Sequence, residues 1–144
     1  MFYPRSLDMQ RRFKLHFIEL DKETTRDLDG IRVTPIEVDH YSGSPSYALR
    51  FELDGRVFAF SGDAAWSDAV LRAGQGADLY LIECYQYDLK LPMHLDYLTI
   101  AQNFDAIGAK QFVLTHMSEA MLARLDGIDK ARCKAAEDGM IIDF

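Results

Sequence analysis

RVFAFSGDAAWSDAVLRAGQGADLYLIE, residues 56–83, is where the chain changes its pattern. Arg56 to Phe60 alternates as a strand and breaks off into Ser61-Gly62-Asp63. Trp66 to Ala73 then has helical spacing, with Gly74 and Gly76 ending it. Asp78 to Glu83 is a short apolar run of the buried-strand kind. Upstream, Asp54-Gly55 separates Arg56–Phe60 from Ser46–Leu53, a strong hairpin signal because a type I′ turn needs positive φ at both central residues. Ile31 to Val38 reads as a strand with Pro35 marking an edge or bulge, and Asp29-Gly30 as the turn before it. Phe13 to Leu20 alternates well enough for a first strand. Downstream, Asp96 to Ile107 reads as one helix on Leu98, Ile100, Ala101, Phe104 and Ile107, closed by Gly108. Gln111 to Thr115 is a second buried strand, and Ser118 caps a helix carrying Met121, Leu122 and Leu125 on one face. Asp129 to Asp138 is helix or loop, and Met140 to Phe144 reads as a last strand. Strands first, then strands alternating with helices, predict one sheet with helices packed on a single face. The other face then needs cover from elsewhere.

The 144 residues suffice for one domain with a real core. A net charge of −7 does not favour a phosphate-tracking surface, so a nucleic-acid partner is not expected. The local basic cluster Arg5, Arg11, Arg12 and Lys14 reads as a solvated segment. No window is long and apolar enough to span a bilayer, and Met1 to Leu7 does not lead into a secretory signal. Cys84 and Cys133 lie far apart without metal-ligand spacing; buried free thiols are favoured over one disulfide, which fits a cytoplasmic location.

Four stretches share one feature: an apolar strand ends in a polar group able to bind metal or move a proton. They end at His40 (PIEVDH), Asp63 (FAFSGD), Glu83 (LYLIE) and His116 (FVLTH). A sheet holds the backbone where a loop exposes the side chain, so such endings are natural places for chemistry, and four of them could share one rim. Singly, each has an ordinary explanation: a surface histidine, a turn or helix-cap aspartate, a strand-end charge, a histidine beside a helix start. Together they supply the imidazole and carboxylate donors that divalent cations require.

In this order the segments resemble the metallo-β-lactamase superfamily, on the branch that includes the ribonuclease Z enzymes. The resemblance rests on Val38-Asp39-His40, Ser46-Tyr47-Ala48-Leu49, Ser61-Gly62-Asp63, Ile82-Glu83, Met93-His94-Leu95-Asp96 and Leu114-Thr115-His116-Met117-Ser118. It runs from about Ile31 to Leu122. It implies an α/β fold (α+β by strict class): the C-terminal half of a four-layer αββα sandwich, a mixed sheet with helices on one face. It implies that His40, Asp63 and His116 are metal ligands, Asp63 bridging two ions. It further implies that His94 donates a proton to the leaving group and that Glu83 orients His94, so that Asp63, Glu83 and His94 form the catalytic set. The implied cofactor is a divalent metal, zinc with manganese or iron as alternatives. The implied reaction is hydrolysis of a small phosphodiester or other ester by a metal-activated water.

The superfamily's His-x-His-x-Asp-His signature does not occur in this sequence. The remaining histidine, His16, reads as structural, inside the alternating run Phe13–Leu20. Residues 1–144 are therefore expected to form one domain equivalent to the half that lacks the signature. Three explanations stay open: a fragment of a longer reading frame, which is favoured; a chain that pairs with a second chain carrying the other half; or a non-catalytic relic that dimerises or binds a partner. In all three the isolated chain is expected to be inactive, and its metal to be absent or weakly held.

Overall fold

Two Asp-Gly pairs fold the first part of the chain into a meander. The computed structural model describes residues 12–14 and 16–144. Strands β1 (Arg26–Leu28) and β2 (Ile31–Val38) are joined at Asp29-Gly30, with φ of 54° and 92°. Strands β3 (Ser46–Leu53) and β4 (Arg56–Phe60) are joined at Asp54-Gly55, with φ of 49° and 74°. Positive φ at both central positions matches the right-handed twist of the flanking strands, which is why these dipeptides fix the register at Leu28↔Ile31 and Leu53↔Arg56. Pro35 pairs with Leu49 on one side and lies beyond the end of β1 on the other, so its missing N–H leaves no ladder bond unmade.

Beyond Phe60 the connections become crossovers. Helix α1 (Asp68–Gly74) leads to β5 (Leu79–Glu83), and α2 (Tyr97–Gln102) and α3 (Phe104–Ile107) lead to β6 (Gln111–Thr115). Helix α4 (Glu119–Leu122) and a 3₁₀ turn (Leu125–Gly127) lead to β7 (Cys133–Ala135). The seven strands of the described residues form one sheet in sequence order, antiparallel from β1 to β4 and parallel from β4 to β7. This is the expected mixed sheet. Alternate residues Ile36, Val38, Ala48, Ala59, Tyr80, Ile82, Phe112 and Leu114 join Val70, Ala73, Ile100, Phe104 and Ile107 in one buried core, so the helices share one face. The alternate register leaves Ile31, Phe51, Leu53 and Phe58 on the other face, around a groove of about 480 Å³ that Phe144 also lines.

Several expectations are corrected. The described part of Phe13–Leu20 forms no strand, and His16 is exposed on irregular backbone there; among the described residues the first strand starts at Arg26. Leu15, Arg5 and Arg11 lie outside the described residues, as does the start Met1 to Leu7. The helix read over Asp96–Ile107 is two helices, because Asn103 leaves helical geometry (φ −112°, ψ 4°) while its side-chain amide donates to the Thr99 carbonyl at 2.8 Å. Leu98, inside the first of these helices, is exposed rather than facing the core. Leu122, on the expected apolar face of the next helix, is exposed as well, whereas Met121 is buried. Met140–Phe144 forms no strand; Ile141 is exposed, while Phe144 lies against Phe58 and the Asp143 carbonyl accepts from the Gln111 side-chain amide at 3.3 Å. The last strand is Cys133–Ala135, inside the stretch read as helix or loop, where Cys133 turns into the core. Both cysteines are free and buried, and burial pushes Cys84 up to about 12 and Cys133 up to about 11, so neither offers a thiolate.

Candidate metal centre

Strand direction decides what meets at the rim. β4, β5 and β6 are parallel neighbours, and β2 runs the same way because two antiparallel pairings separate it from β4. The C-terminal ends of all four strands therefore open on one edge, and His40, Asp63, Glu83 and His116 follow them. The sheet thus brings the four strand endings to a single rim.

Local bonds then set each group. Ser61 is fully buried: its N–H donates to the Leu81 carbonyl at 3.0 Å and its Oγ accepts from the Glu83 N–H at 2.8 Å. Gly62 turns the chain at φ 62°, where a Cβ would press on the Tyr47 carbonyl oxygen at 3.1 Å, so glycine is required on both counts. The turn leaves Asp63 half exposed. The next residue, Ala64, donates its N–H to Glu83 Oε1 at 2.7 Å. His116 follows β6 with φ 51°, the left-handed region that is uncommon for any residue other than glycine, and Ser118 caps α4 two residues later. His94 arrives from the loop between β5 and α2, which is closed at its neck by Tyr85 N–H to the Leu95 carbonyl (3.0 Å) and Tyr97 N–H to the Gln86 carbonyl (2.8 Å).

Glu83 is the hub. It is 1% exposed and lies 3.0 Å from His94 Nδ1 and 3.1 Å from His116 Nδ1 through Oε2. Burial pushes its carboxyl above the ordinary range, while the Ala64 N–H and the two imidazoles pull the other way. His116 Nδ1 also lies 3.0 Å from Asp63 Oδ1. Asp63, His94 and His116 each offer one donor atom, all within 4.8 Å of one another. One carboxylate oxygen and two imidazole nitrogens suit a divalent cation, and a buried carboxylate behind both imidazoles is the support that metal-binding histidines require. The donor set therefore fits a metal.

The grouping differs in one respect from the ligand set His40, Asp63 and His116. His94 stands with Asp63 and His116, whereas His40 stands beside them: its Nδ1 is 3.0 Å from the Met93 carbonyl and its ring centre 5.4 Å from that of His94. The sequence reading also missed Tyr85, whose ring lies against both His94 and His116. An aromatic two residues past the strand-end glutamate, on the same side of an extended chain, was the available signal.

Residues 3–117 match the Beta-lactamase superfamily domain. The fold is similar to that of the metallo-beta-lactamase fold protein YhfI from Bacillus subtilis, with a TM-score of 0.72 and 18% identity over 85% of this chain and 54% of that one. It is similar to a diphosphatase of the PhnP family, with a TM-score of 0.69 and 21% identity over 86% of this chain and 47% of that one. It is also similar to human tRNase Z, short form, with a TM-score of 0.64 and 23% identity over 84% of this chain and 46% of that one. The chain spans about half the length of each of these structures. No curated protein sequence matches it.

Proposed function

Because the chain belongs to the beta-lactamase superfamily domain family, we propose that it provides one half of a metal-dependent hydrolase site acting on a small phosphodiester or other ester. The observation that carries this reading is the Asp63–His94–His116 group with buried Glu83 behind it. Asp63 and His116 hold the cation. When bound, the cation supplies an acidified water and a positive charge that offsets the developing anion. Zinc suits the carboxylate of Asp63 with the imidazoles of His116 and, once the site is complete, His40; manganese or iron are alternatives. Glu83 fixes the Nδ1 side of both imidazoles, which leaves Nε2 as the working nitrogen of each. His94 donates a proton from Nε2 to the departing oxygen, and His40 borders the cation site as a further ligand once the site is complete.

The site is completed by groups from outside this half: residues 1–144 form one domain, and the His-x-His-x-Asp-His signature is contributed by a further segment or a second chain. The length ratios to the three similar structures and the missing signature support this. The same missing signature favours a second reading, a non-catalytic half-domain that dimerises. Among the described residues no helix is long and apolar enough to cross a membrane. Two buried free thiols fit the reducing cytoplasm.

The test is metal titration together with hydrolysis of a chromogenic phosphodiester, using the chain with its upstream coding sequence in frame. Hydrolysis that requires added metal supports the first reading. A dimer that takes up no zinc or manganese and is inert in both forms supports the second. Substituting His94→Asn separates the roles of that residue. Metal affinity is expected to change little, while kcat falls by about 10²–10⁴ for loss of a proton donor. A loss of affinity as large as the loss in kcat would make His94 a ligand instead.

A further inference from the structure

We infer that Tyr85 is a positioning residue that locks both imidazoles of the centre, an inference that rests on the metal-site reading above. Its backbone ties the two histidine-bearing loops together. The Tyr85 N–H donates to the carbonyl of Leu95, next to His94, at 3.0 Å, and its carbonyl accepts from the N–H of Ser118, two residues past His116, at 3.1 Å. The ring therefore has a fixed origin between the loops. It stacks on His94 with centres 4.6 Å apart and planes at 24°, and leans on His116 at 5.2 Å and 56°. His94 and His116 meet edge to face at 5.2 Å, which closes a triangle of three rings.

The ring does what a hydrogen bond cannot. A bond from Nδ1 to Glu83 fixes one point of an imidazole and leaves the ring free to swing about that bond. A flat aromatic surface against the imidazole removes the swing, so Nε2 keeps one direction. Glu83 and Tyr85 are two residues apart along extended chain and so share a side, while Cys84 between them turns into the core beside Met121. One short segment thus delivers both restraints. The Tyr85 hydroxyl makes no hydrogen bond among the described residues, so the ring rather than the hydroxyl carries the role.

The test compares Tyr85→Phe with Tyr85→Leu in the full chain. In the metal-free protein, nitrogen-detected NMR of the imidazoles reads the tautomer at each histidine. His94 and His116 are expected to show one Nδ1–H tautomer in the parent and in Tyr85→Phe, and mixed or broadened ring signals in Tyr85→Leu. His16 and His40 should not change. Zinc affinity should fall about tenfold in Tyr85→Leu and stay within twofold in Tyr85→Phe. Tyr85→Met is read in the same way if Tyr85→Leu fails to fold. Single, sharp Nδ1–H signals at both histidines in a folded Tyr85→Leu or Tyr85→Met chain would overturn the inference. If neither the parent nor any variant binds zinc once the upstream coding sequence is restored in frame, the metal reading fails, and the tautomer comparison still decides the role of Tyr85.

Discussion

Alanine at Asp63 or at His116, in the chain with its upstream coding sequence restored, is expected to cost about 100-fold in zinc or manganese affinity, and the double substitution to abolish binding. Structural zinc sites gain about 10–16 kcal/mol from four ligands, which puts one ligand near 3 kcal/mol. Stability should respond differently. Asp63 and His116 side chains are 46% and 40% exposed, so their removal opens no buried cavity, and their mutual contact is a surface pair worth at most about 1 kcal/mol. His116 adds a further discriminator through its φ of 51°. His116→Gly removes the ligand and also relieves a left-handed backbone that costs a non-glycine residue about 1 kcal/mol. The glycine variant should melt above the alanine variant while losing metal equally. A residue whose replacement by glycine gains stability and loses a ligand is held there by function. Calorimetric titration and thermal melts of the four variants check this; unchanged metal affinity in both single alanine variants would remove Asp63 and His116 from the site.

Glu83→Gln is the second large effect, and it acts through tautomers. The amide oxygen can replace Oε1 and still accept the Ala64 N–H at 2.7 Å, so the buried turn after Asp63 keeps its bond. The amide nitrogen then takes the place of Oε2, which faces His94 Nδ1 at 3.0 Å and His116 Nδ1 at 3.1 Å. A donor there requires an acceptor, so each imidazole moves its proton to Nε2; at His116 this blocks the nitrogen needed for the cation, and at His94 the lost carboxylate charge no longer supports a second proton on the ring. Metal affinity is expected to fall about 10–100-fold, as for other lost supports behind a metal-binding histidine. The melting temperature should change little. Glu83→Ala should differ: it leaves the Ala64 N–H without a partner in a buried site and destabilises the fold by about 1–3 kcal/mol. Equal metal affinity in Glu83→Gln and the parent would show that Glu83 serves only the fold.

Much of this arrangement is legible in the sequence wherever the cause is local. The bounds Ile31–Val38, Ser46–Leu53, Arg56–Phe60 and Gln111–Thr115 follow from alternation and from two Asp-Gly turns whose backbone demands are intrinsic to those residues. The convergence of His40, Asp63, Glu83 and His116 follows from strand order. The misreadings have nonlocal causes. Met140–Phe144 looks like a strand, but the place beside β6 is taken by Cys133–Ala135, whose single buried residue gives almost no periodic signal. Asn103 breaks a helix that its apolar spacing would continue, because a side-chain amide competes for the Thr99 carbonyl. The side-by-side placing of His94 and His40 depends on how residues 86–96 loop back on themselves, and no pattern of residue types encodes that path.

The change from antiparallel to parallel pairing at β4 also orders the assembly of the sheet in time. β1–β2 and β3–β4 close over two-residue turns, on the microsecond scale of hairpins. β5 can pair with β4 only after residues 61–78 have looped over, and β6 with β5 only after residues 84–110 have done so. Two of the three grouped donors, His94 and His116, with Glu83 behind them, belong to these late pairings. A half-folded chain then has its hairpins and no cation site. Metal uptake during refolding should consequently lag the first protection of amides in β2 and β3, and would mark the closing step of folding rather than its start.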